Sequence, residues 1–308
     1  MKVSPSNFAT SPSWKTLKPF ILSTHLMTLD TVNIAISKLE KLDPDDEFAY
    51  ENAMIAFLTI KGIPVIIDIL GPSTTVVRSR THTKDEIQFN KVSEIFIAPQ
   101  EVVKSFARCN RPFQSKLYSS ETREISYLEI ADDWTKNINP GDTVYVTISK
   151  WEIQNPLKIV IITSPDKHLR VSDFDKHYGK GFDETIQQYD PETKAGAIVL
   201  YRFLFEKFRR HAKKDQKTYI ITTAYCNLAL YLSNEKADAI IYPSVPAKEM
   251  GLNFAFNKAV STYDIFKLIS VSRNEMLATL SDDNKMDFSE LNIIHAKSFN
   301  TTTDEIIW

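Results

Sequence analysis

The chain has 308 residues, a formal net charge of −2, 43% apolar residues and 25% charged residues, a composition typical of a globular protein with a substantial core. The near-zero charge excludes a global basic field that would attract nucleic acid or an anionic membrane. Two cysteines exclude a disulfide framework. The six histidines lack the short Cys/His spacing of a zinc site, so no metal is expected.

Several further signals of particular protein classes are missing. Glycine is scarce, with seven residues, and neither GxGxxG nor GxxxxGK(S/T) occurs, so side chains would have to hold the phosphates of a bound nucleotide. Residues 1–18 are rich in Ser, Thr and Pro and lack an apolar core of signal-peptide length. Because no segment approaches the roughly 20 apolar residues of a membrane helix, we expect a cytoplasmic protein.

The first 70 residues are predicted to form a helical N-terminal subdomain, and residues 71–308 the main domain. One helix is expected over 30–42, with Asp30 as its N-cap and an apolar stripe at helical spacing. A second helix is expected over 47–61, where glycine and proline follow. These helices are read as structural support for the main domain, with a partner-binding role as the alternative.

The character of the sequence changes at residue 74. Residues 74–77 are β-branched and predict a strand that runs into Arg78. Two more segments rich in β-branched residues predict strands over 144–148 and 158–162. The dipeptide Asn155-Pro156 between them predicts a turn, and therefore a β-hairpin.

Residues 163–195 are polar and contain Gly179 and Gly181, which predicts a long connection. Farther along, the periodicity predicts two helices and a buried strand, over 197–213, 222–232 and 239–242. No chemistry is assigned to the residues past 259. Strands and helices mix without a regular βαβ rhythm, which predicts an α+β fold and not a doubly wound sheet.

A series of motifs occurs in a fixed order along residues 74–259. In one-letter form these are VRSR from residue 77, ARCN from 107, LYSS from 117, a Glu at 129, YPSV from 242 and GLNFA from 251. In this order they resemble the RES-domain family, which is named for an Arg, a Glu and a Ser. The resemblance covers more than half of the chain.

The resemblance implies an ADP-ribosyltransferase-like fold, with a mixed or antiparallel sheet core surrounded by helices. It implies an enzyme that hydrolyses or phosphorolyses NAD, or transfers ADP-ribose to a protein, with NAD as substrate and no metal. Family members are typically the toxins of Xre–RES toxin–antitoxin pairs. A helix-turn-helix antitoxin is therefore the expected protein partner, a homodimer is compatible, and no direct contact with nucleic acid or a membrane is expected.

The resemblance also assigns the arginines. Without a glycine-rich loop, a guanidinium is the natural holder of the NAD pyrophosphate, because its forked donors match phosphate oxygens. Arg78 matches the family Arg and is the first choice, and Arg108 is the second. Arg80 is added because alternation along a strand places it on the face of Arg78. The alternative for each is a surface ion pair.

Glu129 matches the family Glu and is expected to be the catalytic carboxylate. Cleavage of the nicotinamide–ribose bond develops positive charge on the ribose, as in glycoside hydrolysis, and a nearby carboxylate stabilises that charge. Its apolar neighbours predict partial burial, and a buried charge needs a partner. Tyr118 is expected to act beside it by stacking on the nicotinamide or the ribose edge; a core tyrosine is the alternative.

Ser244 matches the family Ser and is expected to hydrogen-bond the nicotinamide amide or a ribose hydroxyl. No histidine is placed beside it as a base, so a serine-hydrolase mechanism lacks support. Asn110 and Ser115 are expected to be supporting polar groups of the same NAD site.

The sequence departs from the family pattern at Ala107 and Phe113, where glycine is usual. A backbone with positive φ at these positions would be strained by a side chain. This departure motivates an alternative function, a catalytically inactive nucleotide-sensing or partner-binding module on the same fold. A third reading is an α+β protein without a small-molecule site.

Overall fold

The computed structural model describes seven segments of the chain, residues 27–82, 88–134, 138–210, 215–232, 236–247, 250–280 and 286–308. The α-helices in these segments are α1 (Leu29–Glu40), α2 (Ala49–Leu58), α3 (Arg123–Trp134), α4 (Asp173–Ile186), α5 (Pro191–Phe208) and α6 (Gln216–Asn227). The strands are β1 (Ile67–Leu70), β2 (Thr75–Thr81), β3 (Lys116–Ser120), β4 (Thr143–Ile153), β5 (Leu157–Ile161), β6 (Ala239–Pro243), β7 (Leu252–Asn257), β8 (Phe266–Leu280), β9 (Met286–His295), β10 (Ser298–Asn300) and β11 (Glu305–Ile307).

Nine of these strands form one mixed sheet. Its order is β1-β5-β6-β7-β3-β2-β4-β8-β9, and every neighbouring pair is antiparallel except the parallel pair β5–β6. β10 and β11 form a separate two-stranded sheet. The predicted α+β fold class is confirmed.

The two faces of the large sheet are covered differently. One face, called the helix face below, carries Tyr242, Ala255 and Val77. Helices α1, α2, α5 and α6 cover its β5-β6-β7 part and α3 covers its β2-β4 part. The opposite face carries Val76 and Leu117 and packs against other parts of the chain, including residues 89–96. Burial of side chains on both faces explains why β6, with the sequence AIIYP, is a continuous run without charged residues.

The predicted hairpin between the strands at 144–148 and 158–162 is wrong. Both strands exist, as β4 and β5, but β4 lies between β2 and β8 whereas β5 lies between β1 and β6. β5 is buried along most of its length and pairs in parallel with β6, an arrangement that requires a crossover connection. The segment at Asn155-Pro156 therefore carries the chain from one part of the sheet to another.

The two N-terminal helices are present but shorter than predicted. Thr28, and not Asp30, caps α1: its hydroxyl accepts from the Thr31 amide at 3.2 Å, and the Thr31 hydroxyl accepts from the Thr28 amide at 3.1 Å. This reciprocal capping box satisfies two backbone donors, and α1 therefore begins at Leu29, earlier than predicted. Asp30 lies in the first turn instead, where its charge suits the helix dipole.

These helices share a core with the main domain. α1 packs against α5 and α2 against α6, and their buried side chains belong to the cluster that contains strands β5, β6 and β7. β1, at the end of the predicted 1–70 subdomain, is an edge strand that pairs with β5. Within the described residues the helical segment is thus a part of one packed unit. The residues before 27 lie outside the described part of the chain.

The predicted helices of the C-terminal half begin earlier than expected because acidic caps precede them. Asp190 accepts from the amides of Glu192 and Thr193, and α5 starts at Pro191. Asp215 likewise caps α6, which continues as a π-helical turn over 228–232. The predicted strand over 239–242 is confirmed as β6, while β7, β8 and β9 had no counterpart in the prediction. Within the described segments, no helix has the length and apolar character needed to cross a bilayer.

The predicted long connection over 163–195 is wrong, because it contains α4. Ser172 caps this helix by accepting from the Asp175 amide at 3.0 Å, and both glycines lie inside it. Gly179 is needed for packing and not for a turn, since a Cβ there would collide with the Arg170 side chain. Arg170 is buried, and its guanidinium forms a two-bond ion pair with Asp183, at 2.8 Å for each bond.

We therefore predict opposite effects for alanine at the two glycines of α4. Gly179→Ala displaces Arg170 and lowers the free energy of unfolding by about 1–3 kcal/mol. Gly181→Ala, which meets no atom within 4 Å, raises it by about 0.5–1 kcal/mol because alanine loses less backbone entropy in a helix. Urea unfolding of both variants measures these changes. A stabilising Gly179→Ala would contradict the close approach of Arg170.

Candidate active site

The registers of four neighbouring strands align a row of side chains on the helix face. Val77 of β2 pairs with Ser120 of β3, Ser120 pairs with Asn253 of β7, and Asn253 pairs with Tyr242 of β6. Directly paired residues in antiparallel strands point to the same face of the sheet. Two of the four, Ser120 and Asn253, are polar and buried, and Tyr242 adds a hydroxyl on a buried ring.

Helix α3 lies close above this row. The Ser126 hydroxyl donates to the Ser79 hydroxyl of β2 at 2.7 Å. Just before β7, Gly251 allows Ile125 of α3 to pack directly against the backbone, since a Cβ on Gly251 would collide with the Ile125 side chain. This contact sets the height of α3 over the sheet and brings Glu129, one helical turn further along, next to the strands.

Glu129 is bound by two buried side chains from different strands. The Ser244 hydroxyl and the Asn253 side-chain amide both donate to Glu129 Oε1, each at 2.6 Å. Ser244 follows β6 and is fully buried, and Asn253 is nearly so. Among the described residues, no group donates to Glu129 Oε2. The half-buried carboxylate is therefore held by one oxygen and presents the other.

Tyr118 lies on the same face, two residues before Ser120 on β3. Its hydroxyl donates to Asn110 Oδ1 at 2.8 Å and accepts from the Cys109 amide at 2.9 Å. Burial, followed by the nearby Cys109 thiol, raises the pKa of the phenol well above its usual range, so the hydroxyl stays protonated as a donor. Tyr118 thus ties the 105–115 loop to the sheet and leaves its ring on the helix face.

Arg78 starts from the opposite face of the sheet. Val77, its neighbour, is the residue that pairs with Ser120, so the Arg78 side chain leaves β2 on the other side. Its guanidinium then reaches the space between β2 and β3 and donates to the Tyr118 carbonyl at 2.6 Å. The two strands pair only at Val77–Ser120, so this bond lies where their ladder has ended.

The Arg78 guanidinium has no counter-charge among the described residues. Within the described part of the chain no carboxylate pairs with it, and its buried Nε has no hydrogen-bond partner. Burial, followed by the positive charge of Arg80, lowers its pKa to about 10, so it is still charged at neutral pH. A partly buried cation without a counter-charge is unfavourable, and an anionic ligand would reduce that penalty.

The structure does not bring the other two predicted arginines to Glu129. Arg80 shares the face of Arg78, as expected, and its guanidinium lies over the Phe89 ring and donates to the Glu94 carbonyl. Arg108 caps the C-terminal end of α5, with bonds of 3.2, 2.5 and 2.9 Å to the carbonyls of Lys207, Phe208 and Arg210. These carbonyls occupy donors that a phosphate would otherwise take.

The two supporting residues have different surroundings. Asn110 is buried and bridges the loop, because it accepts from Tyr118 and donates to the Arg111 carbonyl at 3.0 Å. Ser115 directly precedes β3, is buried, and its hydroxyl has no hydrogen-bond partner. Asn110 therefore acts on the site through Tyr118, while Ser115 is not joined to the Glu129 cluster by any bond in the described residues.

Sequence reasoning missed two members of the Glu129 cluster, Ser120 and Asn253. Both lie inside the motifs quoted above, but neither was given a role. A buried asparagine within the apolar strand Leu252–Asn257 was the available signal, because an amide in such a place must find partners. Ser120 carried no such signal, since serine is common at strand ends.

Comparison with known proteins adds no assignment: no protein-family model and no curated protein matches this chain. The RES resemblance and its residue roles therefore stay predictions. The chemistry of the site has to be argued from its geometry.

The loop that carries Asn110 contains backbone strain at one of the two positions where the family usually has glycine. Phe113 has φ of +61°, in the left-handed region, whereas Ala107 is not among the residues with positive φ. Phe113 is 58% exposed, and its ring contacts the Lys104 ammonium, 4.9 Å from the ring centre. The side chain thus gains little from burial and carries a conformational cost of about 1–2 kcal/mol.

We predict that Phe113→Gly raises the free energy of unfolding by about 0.5–1 kcal/mol, because relief of the left-handed strain exceeds the lost surface contact and the added chain entropy. Phe113→Ala is the matched control, since it removes the ring but keeps the Cβ. It should be no more stable than the native chain. Thermal unfolding compares the three proteins, and a glycine variant less stable than the alanine variant would contradict the strain.

Proposed function

We propose that this protein binds NAD and cleaves its nicotinamide–ribose bond. The observation that carries the proposal is the Glu129 carboxylate, held by Ser244 and Asn253 through one oxygen with the other oxygen open. A negative charge fixed in a partly buried position stabilises positive charge that develops nearby, and does so without reorganisation at the moment of reaction. An oxocarbenium-like ribose is such a charge.

In the proposed reaction the bond between ribose C1 and the nicotinamide nitrogen breaks, and its electron pair leaves with nicotinamide, which becomes neutral. The cationic ribose is then captured by a nucleophile, and with water the products are nicotinamide, ADP-ribose and a proton. Glu129 Oε2 accepts a hydrogen bond from a ribose hydroxyl and faces the cationic centre. Phosphate or a protein side chain in place of water would make the enzyme a phosphorylase or an ADP-ribosyltransferase.

Arg78 is the proposed ligand of the NAD pyrophosphate. Its guanidinium carries a positive charge that no described carboxylate pairs with, and it binds the Tyr118 carbonyl. Tyr118 and Ser120 are two residues, and thus about 7 Å, apart along β3. The unpaired cation and the Glu129 cluster therefore border the same short stretch of this strand. An NAD molecule that placed its ribose at Glu129 and its phosphates at Arg78 would use both.

The RES resemblance supports further proposals about the fold, the residue roles and the protein partner. We propose an ADP-ribosyltransferase-like arrangement, in which Tyr118 presents its ring to the nicotinamide or the ribose. Ser244 was expected to touch the substrate directly; its bond to Glu129 supports instead a role in holding the carboxylate. A cytoplasmic enzyme of this kind would harm its host, so a restraining antitoxin of helix-turn-helix type is the proposed partner.

The direct test incubates the pure protein with NAD and follows nicotinamide by chromatography. We expect release that is proportional to protein concentration, with ADP-ribose as the second product in phosphate-free buffer. Phosphate buffer identifies a phosphorylase by the mass of its product. Calorimetric binding of NAD without release would support the inactive binding module instead, and neither binding nor release would support a protein without this site.

Two substitutions separate charge stabilisation from binding. Glu129→Gln should lower kcat about 100- to 1,000-fold with little change in the affinity for NAD, because ribose charge exists only in the transition state. Arg78→Ala should weaken NAD binding about ten- to a hundredfold, the loss expected for a charged hydrogen bond.

Glu124→Gln is the matched control for the carboxylate, since Glu124 is exposed on the same helix, and it should behave like the native enzyme. Steady-state kinetics with calorimetry measures all three variants. Equal loss of affinity in Glu129→Gln and Arg78→Ala would contradict the separate roles.

A further inference from the structure

We infer that Ser120 and Asn253 form a positioning relay for Glu129, an inference that rests on the proposed function. Ser120 orients the amide of Asn253, and the oriented amide, together with Ser244, fixes the carboxylate. The relay consists of two consecutive hydrogen bonds: Ser120 Oγ donates to Asn253 Oδ1 at 2.8 Å, and Asn253 Nδ2 donates to Glu129 Oε1 at 2.6 Å. Neither residue needs to touch the substrate.

An asparagine amide has one donor end and one acceptor end of nearly equal size, so its partners decide its orientation. In the native site the hydroxyl of Ser120 occupies the acceptor end. If the amide turned over, its oxygen would face the Glu129 carboxylate, and the Ser120 hydroxyl would lose its acceptor. The Glu129 carboxylate and the Ser120 hydroxyl therefore each disfavour the reversed amide.

Ser120 is well placed for this task. It is the direct cross-strand partner of Asn253, so the two side chains meet on the helix face over the short distance of a paired position. On its other side the paired residue is Val77, which offers no polar group. Both relay residues are at least 96% buried, so water does not compete for the amide.

The consequence for the reaction is the placement of charge. Two donors on Oε1 restrict rotation of the carboxylate. Oε2, to which no described residue donates, is therefore held in one direction. Without Ser120 the Asn253 amide loses one of the two contacts that orient it, so its hydrogen bond to Glu129 is held less firmly and the carboxylate depends more on the Ser244 donor.

The test compares Ser120→Ala with Ser119→Ala. Ser119 is the adjacent residue of β3, is equally buried, and points to the opposite face of the sheet. Ser120→Ala should lower kcat about ten- to a hundredfold, the usual cost of losing an orienting outer partner, with KM within about twofold because substrate contacts are untouched. Ser119→Ala should match the native enzyme.

The split between kcat and KM distinguishes positioning from general damage. Asn253→Asp, which replaces the amide donor with a second carboxylate beside Glu129, should lower kcat more than Ser120→Ala does, because the bond to Glu129 itself is lost. Native kcat in Ser120→Ala would overturn the relay, as would equal losses in Ser119→Ala and Ser120→Ala.

A spectroscopic readout keeps the relay testable if the native protein releases no nicotinamide. The side-chain amide of Asn253, observed by NMR with asparagine-selective nitrogen labelling, should show a downfield proton in slow exchange with water. That signal should move upfield in Glu129→Gln and broaden in Ser120→Ala. An amide signal insensitive to both substitutions would overturn the relay, whereas absent nicotinamide release with a sensitive signal would overturn only the proposed function.

Discussion

The hydrogen bonds to Glu129 join three parts of the chain that are far apart in sequence. The carboxylate comes from α3, one donor follows β6, and the other belongs to β7. A carboxylate that is partly removed from water needs donors, and buried donors need acceptors, so each group makes the position of the others favourable. The packing of Ile125 against Gly251 and the aligned registers of β2, β3, β7 and β6 are the conditions under which the three meet.

The second organising feature is the place where β2 and β3 stop pairing. A regular ladder would leave no room for a guanidinium between two strands. Because pairing ends at Val77–Ser120, the Arg78 side chain reaches the Tyr118 carbonyl from the opposite face. The Arg78 guanidinium thereby binds β3 at Tyr118, two residues before Ser120, which is linked through Asn253 to the Glu129 carboxylate. In the proposed function, this arrangement gives the phosphate end and the cationic reacting end of NAD separate partners.

Much of the fold was predictable where local patterns dominate. The β-branched run before Arg78 and the apolar run before Pro243 both form strands, and the absence of a βαβ rhythm correctly predicted an α+β fold. Two of the failures occurred where a glycine or proline was interpreted without its surroundings. Gly179 signals a loop by composition, yet in the structure it makes room for Arg170 inside a helix. Asn155-Pro156 does interrupt two strands, but a turn does not determine which strands pair.

By itself the sequence determined the residue types of the site and the strand character of its flanks, while the structure showed that the backbone has positive φ at Phe113 and not at Ala107. Only the tertiary structure decided that Glu129 meets Ser244 and Asn253, that Arg78 leaves its strand on the other face, and that Arg108 caps α5. The physical reason is that a side chain's face depends on strand register, and a donor's partner on which acceptor lies nearest. Both are set by segments that are distant along the chain.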